Sequence, residues 1–418
     1  MKKIISHIVS FTAVLLVVLA CEKEPQKPKP LSNGDNVFLL YSMGFTNIDS
    51  YLNNDINDIM KSYIPGQSEK DNILLVFSQN VEDRTSRPWT PSEARLYEIS
   101  KDATGNICKK LMLSLPSTAV AASAEVLEQV LDFVRKQYQG KNYGMLMSSH
   151  GAGWASMDYI LHTDKYESNY KPAGDEEFSM KKSIGDHYDG KTHSSEIDIR
   201  DLAEAIPMKL DYLIFDACFM GGVEVAFELK DKVDKVIFSQ CEIAGEGMDY
   251  ENMVSLLLKG QKPDLQGFCE SFYRLYEHDS TYGCTLSMVD LRQMGFLASV
   301  CRYLNGKYSI SDENISTNAP QKYFRPKSVM GVDYCYFYDL LSLYRHAGAS
   351  DEDLSLLQDI LDGCIICKYS TPAFMLNYGG FEVREYSGLS MYLPLHEKHY
   401  LNDYYRSLKW NQDTGLIK

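Results

Sequence analysis

The alternation of short apolar runs with amphipathic segments is the sequence feature that most constrains the fold. "NVFLLYSMG" at 36–44 is an apolar run bounded by Asn and Gly, and residues 48–59 then repeat isoleucine and leucine at helical spacing. A second apolar run, "NILLVFSQN" at 72–80, follows this segment. Strand, helix and strand in this order are typical of a parallel sheet with crossover helices, so the sequence predicts an α/β fold.

The alternation continues along the chain with one interruption. Between residues 155 and 195 the periodicity is lost in a stretch rich in Lys, Asp, Tyr, Ser and Gly, which predicts a long irregular loop. Residues after about 255 become more helical and end in mixed strands, with no clean linker. We therefore divide the folded chain into an α/β domain at 37–255 and a C-terminal helical and mixed α+β region at 256–418 that packs on it. The other predicted elements are a hairpin projecting from the sheet at 94–115, helices at 121–138, 195–206 and 221–233, and strands at 142–149, 210–218, 235–241, 364–371 and 386–394.

The first 36 residues have the character of a leader and a tether. Lys2 and Lys3 precede an apolar stretch that ends in "VLAC", and residues 1–20 are interpreted as a signal peptide. The ending resembles the lipobox of bacterial lipoproteins, which makes Cys21 the predicted lipidation site. The charged, proline-rich segment 21–36 then reads as a tether. We expect an exported protein anchored to a membrane by its lipid, in the periplasm or at the cell surface, with ordinary secretion as the alternative.

Composition excludes several classes of protein. The formal net charge of −15 argues against nucleic-acid binding, which needs a basic surface. Nine cysteines beyond Cys21 are spread over the chain without a tight framework, so a disulfide scaffold is not expected. "CIIC" at 364–367 fits the CxxC pattern, but its cysteines are not predicted to hold a metal, and no metal site is predicted elsewhere. We expect a monomer that requires no cofactor.

Two reactive residues follow two of the predicted strands. His150 ends "MLMSSH", and Cys218 ends "LIFDAC". The carboxyl ends of parallel strands are where ligands bind in an open α/β sheet, and an imidazole beside a thiol can take its proton. A Cys/His pair of this kind performs acyl transfer, with the amides of Gly151 and Cys218 as the predicted oxyanion donors. Alone, a histidine before glycine is more often a turn residue, and a cysteine after a buried strand is more often core.

One competing motif indicates a different chemistry. "GDHYDGKT" at 185–192 fits the phosphate-binding pattern GxxxxGK[ST]. No apolar strand precedes Gly185, and Asp186 and Asp189 would bring negative charge into a phosphate cradle. Nucleotide binding is therefore not predicted.

The blocks "SSHGAGW" and "LIFDACFMGGVEVAFEL" resemble the histidine and cysteine blocks of the clostripain family of cysteine peptidases, which share a clan with caspases, legumains and gingipains. The resemblance covers most of residues 37–400. It implies a caspase-like αβα sandwich, a dyad of His150 and Cys218, and cleavage after Arg or Lys. Asp216 matches the aspartate two residues before the family's nucleophile and is the implied reader of the basic side chain, although a helix-capping role is the alternative. Glu246, in preference to Glu242, is the expected second carboxylate.

The resemblance also implies regulation. Family members are often activated by cleavage between the two blocks, and the 155–195 loop offers basic cleavage sites there. A calcium requirement is known for some relatives and is left open for this chain. The partners implied are protein or peptide substrates with basic residues. The alternative function is a catalytically silent surface lipoprotein that binds peptides or glycans, since fold does not fix function. The lysines of the 155–195 loop, which are the candidate sites of the activating cleavage, are Lys165, Lys171, Lys181, Lys182 and Lys191.

Overall fold

A computed structural model describes residues 36–66, 72–139, 142–168, 170, 183–279, 281–327 and 335–418. Its centre is one large sheet, in which the strands lie in the order β12-β9-β8-β7-β6-β1-β2-β4-β5, with β3 paired to β2. The five central strands β2, β1, β6, β7 and β8 are parallel, and the outer strands are antiparallel. This confirms the predicted α/β class with a mostly parallel sheet. The strands are β1 (Asn36–Gly44), β2 (Asn72–Asp83), β3 (Thr90–Pro91), β4 (Ala94–Lys101), β5 (Ile107–Leu115), β6 (Asn142–Ser148), β7 (Leu210–Asp216), β8 (Val233–Phe238), β9 (Thr285–Asp290), β10 (Lys322–Tyr323), β11 (Phe337–Asp339), β12 (Ile365–Ser370), β13 (Ala373–Phe374), β14 (Phe381–Glu382) and β15 (Ser390–Met391).

Helices cover both faces of the sheet. As a result, alternate side chains of each central strand are buried on opposite sides. In β1, for example, Leu39 belongs to one apolar core and Leu40 to the other. Helices α1, α7 and α8 pack on the second face, and α2, α5, α6 and α9 pack on the first. The arrangement is an αβα sandwich. The helices are α1 (Asp49–Lys61), α2 (Ala124–Gln137), α3 (Met157–Leu161), α4 (Thr163–Ser168), α5 (Ile199–Ala205), α6 (Val223–Leu229), α7 (Tyr250–Leu258), α8 (Leu265–Tyr276), α9 (Met294–Asn305), α10 (Leu340–His346), α11 (Asp351–Cys364), α12 (His399–Ser407) and α13 (Lys409–Thr414).

The register of the central strands fixes the position of the residues that follow them. Ser148, the last residue of β6, pairs with Asp216, the last residue of β7. Gly144 of β6 leaves room for the side chain of Tyr212 on β7, since a Cβ there would lie 1.9 Å from its ring. The two strands therefore end level with each other, and the loops that follow them start at the same edge of the sheet.

The region beyond residue 255 contributes to the same sheet. Strand β9 pairs with β8, and β12 pairs with β9, so both extend the main sheet on one side. The late aromatic residues also cover the loop after β6, because the ring of Trp154 lies 4.9 Å from those of Tyr392 and Tyr405. The C-terminal region thus holds the loop that carries His150.

Several expectations about individual elements are corrected. The hairpin at 94–115 does not project from the sheet; β4 pairs with β2 and continues the sheet at its edge. Part of the segment expected to be irregular is helical, in α3 and α4, because helices of one to two turns are too short to produce a readable periodicity. Cys364 ends α11 instead of lying in a strand with Cys367. The predicted strand at 386–394 is ordered as a strand only at Ser390–Met391.

The predicted signal peptide, the lipidation site Cys21 and all but the last residue of the tether lie outside the described residues. In the described part of the chain, no helix combines the length and apolar character needed to span a bilayer.

Candidate active site

Three neighbouring parallel strands deliver the side chains of the candidate site. His150 stands two residues beyond the end of β6, and Cys218 stands two residues beyond the end of β7. Asn47 follows β1, the neighbour of β6 on the other side, in the connection to α1. The register of β6 and β7 therefore brings His150 and Cys218 to the same edge of the sheet, as the sequence predicts.

His150 and Cys218 line the same cavity, whose volume is about 160 Å³. Residues of α1, the ends of β6 and β7, and the 243–247 loop form its walls, and Arg325 closes one side. A second cavity of about 160 Å³ adjoins the first, since His150 and Arg325 line both. The second cavity has apolar walls at Met157 and Leu161 and acidic groups at Asp186 and Glu196.

The imidazole of His150 is held by a side chain of the β1–α1 connection. Its Nε2 lies 2.8 Å from Oδ1 of Asn47, an acceptor, so Nε2 carries the proton and Nδ1 is left unprotonated. The pKa of His150 is lowered to about 4, mainly by burial; Asp186 opposes this shift, and the positive groups of Arg325 and His193 add to it. At neutral pH the ring is consequently uncharged and able to accept a proton through Nδ1.

Cys218 is buried and lies next to an ion pair. Its Sγ is 3.9 Å from Oε1 of Glu242, 3.9 Å from the carbonyl oxygen of Ile243 and 4.0 Å from Nη2 of Arg325. Arg325 also forms an ion pair with Glu242. Burial raises the pKa of the Cys218 thiol, and the positive charge of Arg325 opposes that rise. The resting thiol is therefore protonated and needs a base to become a nucleophile.

The backbone around the thiol is built for close approach. A Cβ at position 151 would lie 2.7 Å from the carbonyl oxygen of Cys218, so only glycine fits there. Phe219 has a φ of 61°, a left-handed conformation that costs a non-glycine residue free energy and turns the chain sharply after the thiol. Its ring stacks on Phe337 at 5.0 Å, which anchors the turn. Within the described ranges, the amides of Gly151 and Cys218 donate to no protein acceptor.

Asp216 forms part of the wall of the first cavity. Its Oδ2 accepts hydrogen bonds from Tyr250 Oη at 2.5 Å and from Ser148 Oγ at 3.1 Å. Burial raises the pKa of Asp216, and these two hydrogen bonds oppose the rise. Asp216 therefore lies at the cavity beside Cys218. In the described structure Asp216 caps no helix, because α6 begins only after Gly222.

The other residues singled out from the sequence are not brought into the cavity. Glu246 is exposed to solvent, although its neighbours Gly245 and Gly247 line the first cavity. Glu242, in contrast, is buried against Cys218 and Arg325. In "GDHYDGKT", Oδ1 of Asp189 accepts hydrogen bonds from the backbone amides of Lys191 and Thr192 at 2.8 and 2.7 Å. These two amides are therefore satisfied within the turn. Across the described ranges, no group of three or more His, Cys, Asp and Glu side chains is arranged to hold a metal ion.

Sequence reasoning missed Asn47, Arg325 and Asp55, which all contribute to the site. Asn47 precedes α1 and Asp55 lies in the middle of it, and both carry a signal only if the end of β1 is recognised as lying beside β6. Arg325 lies in an irregular segment after α9 and has no local pattern that points to Cys218. Its position depends on how the C-terminal region packs.

A thiol and an imidazole at one edge of an αβα sheet are the two groups that a cysteine peptidase uses. The family model of the Clostripain family matches residues 40–416, and the chain belongs to this family of cysteine peptidases.

Individual relatives agree with this assignment. The chain is 24% identical to clostripain of Hathewaya histolytica over 455 aligned positions, which cover 93% of this chain and 80% of the relative. An inactive zymogen C11 protease from Parabacteroides distasonis has a similar fold, with a TM-score of 0.70 and 23% identity over 92% of this chain and 99% of that one. A secreted C11 cysteine protease from Bacteroides thetaiotaomicron is similar at a TM-score of 0.70 and 22% identity, covering 93% and 100% of the two chains. The same fold is recorded in a complex of a secreted C11 protease from that organism with an irreversible peptide inhibitor, at a TM-score of 0.70 and 20% identity over 91% and 98%.

Proposed function

We propose that the protein is an exported cysteine endopeptidase that cleaves after Arg or Lys, with Cys218 as nucleophile and His150 as general base and acid. The observation that carries the proposal is the single cavity lined by His150, Cys218 and Asp216. It combines the means of acyl transfer with a buried carboxylate suited to a basic side chain.

The arrangement supports a two-step acyl transfer. Nδ1 of His150 takes the proton of the Cys218 thiol, and Sγ attacks the carbonyl carbon of the scissile bond. The amides of Gly151 and Cys218 donate to the oxygen as it becomes negative. The imidazolium then gives its proton to the leaving amine, which departs and leaves a thioester on Sγ. A water molecule, deprotonated by His150, hydrolyses the thioester and restores the thiol.

Asp216 is the proposed reader of the substrate side chain that precedes the cut. A guanidinium or ammonium group can form a charge-assisted hydrogen bond with a carboxylate, and such a bond is stronger in a site shielded from water. A neutral side chain of the same size leaves Asp216 buried without a counter-charge. Discrimination between the two side chains should therefore be large.

Activation by self-cleavage between His150 and Cys218 is part of the proposal. Among the lysines of that interval, Lys165 and Lys191 are described and exposed, so a protease could reach both. Export is supported by the leader-like first residues, and the relative in Bacteroides thetaiotaomicron is described as secreted.

The test compares hydrolysis of three peptide amides that differ only at the residue before the cut: arginine, lysine and citrulline. Citrulline has nearly the shape of arginine but no charge. The purified protein, from residue 22 onward, is incubated and weighed by mass spectrometry before the assay, so that self-cleavage is recorded. Cys218→Ala and His150→Ala proteins are treated in the same way.

We expect hydrolysis of the arginine and lysine peptides by the wild-type protein, little hydrolysis of the citrulline peptide, and none by Cys218→Ala. Equal rates for wild type and Cys218→Ala would contradict the dyad. Equal rates for arginine and citrulline would contradict the role of Asp216. The alternative is a catalytically silent lipoprotein that binds peptides or glycans. It would be favoured if the wild-type protein stays uncut and inactive and its Cys218 reacts no faster with iodoacetamide than an unfolded thiol.

A further inference from the structure

A second buried carboxylate faces Asp216 across the first cavity. Asp55 lies on α1 and lines the cavity together with Asp216 and Cys218. Its exposed fraction is 6%, and that of Asp216 is 7%. The two acids come from different elements, one from a helix and one from the end of β7, and both line this cavity.

Asp55 has no partner in the described structure. Within the described ranges, no hydrogen-bond donor and no cationic group reaches its carboxylate, although it is more than nine-tenths buried. Both donors to Asp216 bind Oδ2, and no described donor reaches Oδ1. The Asp55 carboxylate and Oδ1 of Asp216 are therefore acceptors that a positive group entering the cavity can use.

Two acidic groups, Asp216 and Asp58, act on Asp55, and Arg325 lines the same cavity. Burial, together with the negative charges of Asp216 and Asp58, raises the pKa of Asp55 to about 9. Tyr250, which donates to Asp216, also interacts with Asp55, and the titratable groups of Tyr51, His150 and Cys218 line the same cavity. Near neutral pH Asp55 is therefore protonated, and a cation that enters the cavity can displace this proton.

We propose that Asp55 is a second specificity-determining residue, which binds the charged end of a basic substrate side chain together with Asp216. The inference rests on the proposed function and deepens it. A guanidinium group has five N–H donors and an ammonium group has three, so either can serve two carboxylates at once. Loss of the charge on Asp55 should weaken the binding of both side chains and leave the thiol chemistry unchanged.

The test uses Asp55→Asn, with Asp58→Asn as the matched control. Asp58 lies on the same helix, is partly exposed, and is already paired with Lys61 at 2.5 Å. Kinetics are measured with the arginine, lysine and citrulline peptides, and the rate of Cys218 alkylation by iodoacetamide is measured separately. Binding of agmatine, a small guanidinium compound, to Cys218→Ala protein with and without Asp55→Asn gives a readout that does not depend on catalysis.

In Asp55→Asn we expect KM for the arginine and lysine peptides to rise about tenfold to hundredfold, with kcat changed far less, since a charge-assisted hydrogen bond is lost. Agmatine binding should weaken by a similar factor, while iodoacetamide alkylation and the citrulline peptide are unaffected. Wild-type KM and agmatine affinity in Asp55→Asn would overturn the inference while leaving the proposed function intact. Failure of the wild-type protein to prefer arginine over citrulline would instead overturn the proposed function.

Discussion

Removal of the Asn47 side chain tests how far catalysis depends on the orientation of His150. The contact joins Nε2 of His150 to Oδ1 of Asn47 at 2.8 Å, and it fixes the tautomer that leaves Nδ1 unprotonated. Such a hydrogen bond stabilises by about 0.5–1.5 kcal/mol, and water can replace part of it because Asn47 is exposed. For Asn47→Ala we therefore expect kcat/KM to fall about threefold to tenfold, mainly in kcat.

The pH profile distinguishes a positioning role from a structural one. In Asn47→Asp the carboxylate also accepts from Nε2, and its charge raises the pKa of His150 from about 4. The acid limb of kcat/KM should then move to higher pH, since more of the imidazole is protonated at a given acidity. Asn54→Ala, an exposed change on α1, is the control. Unchanged kcat in Asn47→Ala and an unmoved acid limb in Asn47→Asp would refute the reasoning.

Two further predictions concern buried charge. Burial raises the pKa of Glu224 to about 7 from its ordinary 4.5. The stability that comes from its protonated form is therefore fully present below pH 4.5 and is lost as pH rises through 7. Glu224→Gln should raise the free energy of unfolding by about 1–3 kcal/mol at pH 8 and leave it almost unchanged at pH 4.5. Urea unfolding at both values measures this, with the exposed Glu125→Gln as control, and a variant less stable at pH 8 would contradict it. Arg325→Gln removes the cation 4.0 Å from Cys218 Sγ, so the thiol pKa should rise and alkylation by iodoacetamide at pH 7 should slow about threefold to tenfold. Faster alkylation would show that Arg325 mainly shields the thiol; Arg345→Gln, whose side chain pairs with Glu385, is the control.

The fold and the meeting of His150 and Cys218 at one sheet edge could be predicted from sequence because both depend on strand ends. An apolar strand of known length places the next residues at a sheet edge, and parallel neighbours share that edge. His150 and Cys218 each stand two residues beyond a paired strand end, at Ser148 and Asp216. Local pattern is sufficient for this part of the site.

The rest of the site depends on contacts between distant segments. Arg325 reaches Cys218 only through the packing of the C-terminal region, and no periodicity marks its segment. The choice of Glu246 over Glu242 rested on neighbouring glycines, whereas burial separates the two: Glu242 lies against the thiol and Glu246 faces solvent. Asp55 looks like an ordinary polar position of an amphipathic helix until the cavity beside it is known.

Covalent labelling tests the central claim most directly. The wild-type protein is treated with a peptidyl chloromethyl ketone that ends in arginine, digested, and mapped by mass spectrometry. We predict one adduct, on Cys218, that forms much more slowly in His150→Ala and with a citrulline reagent. Labelling of another cysteine in preference to Cys218, or equal rates for wild type and His150→Ala, would contradict the account.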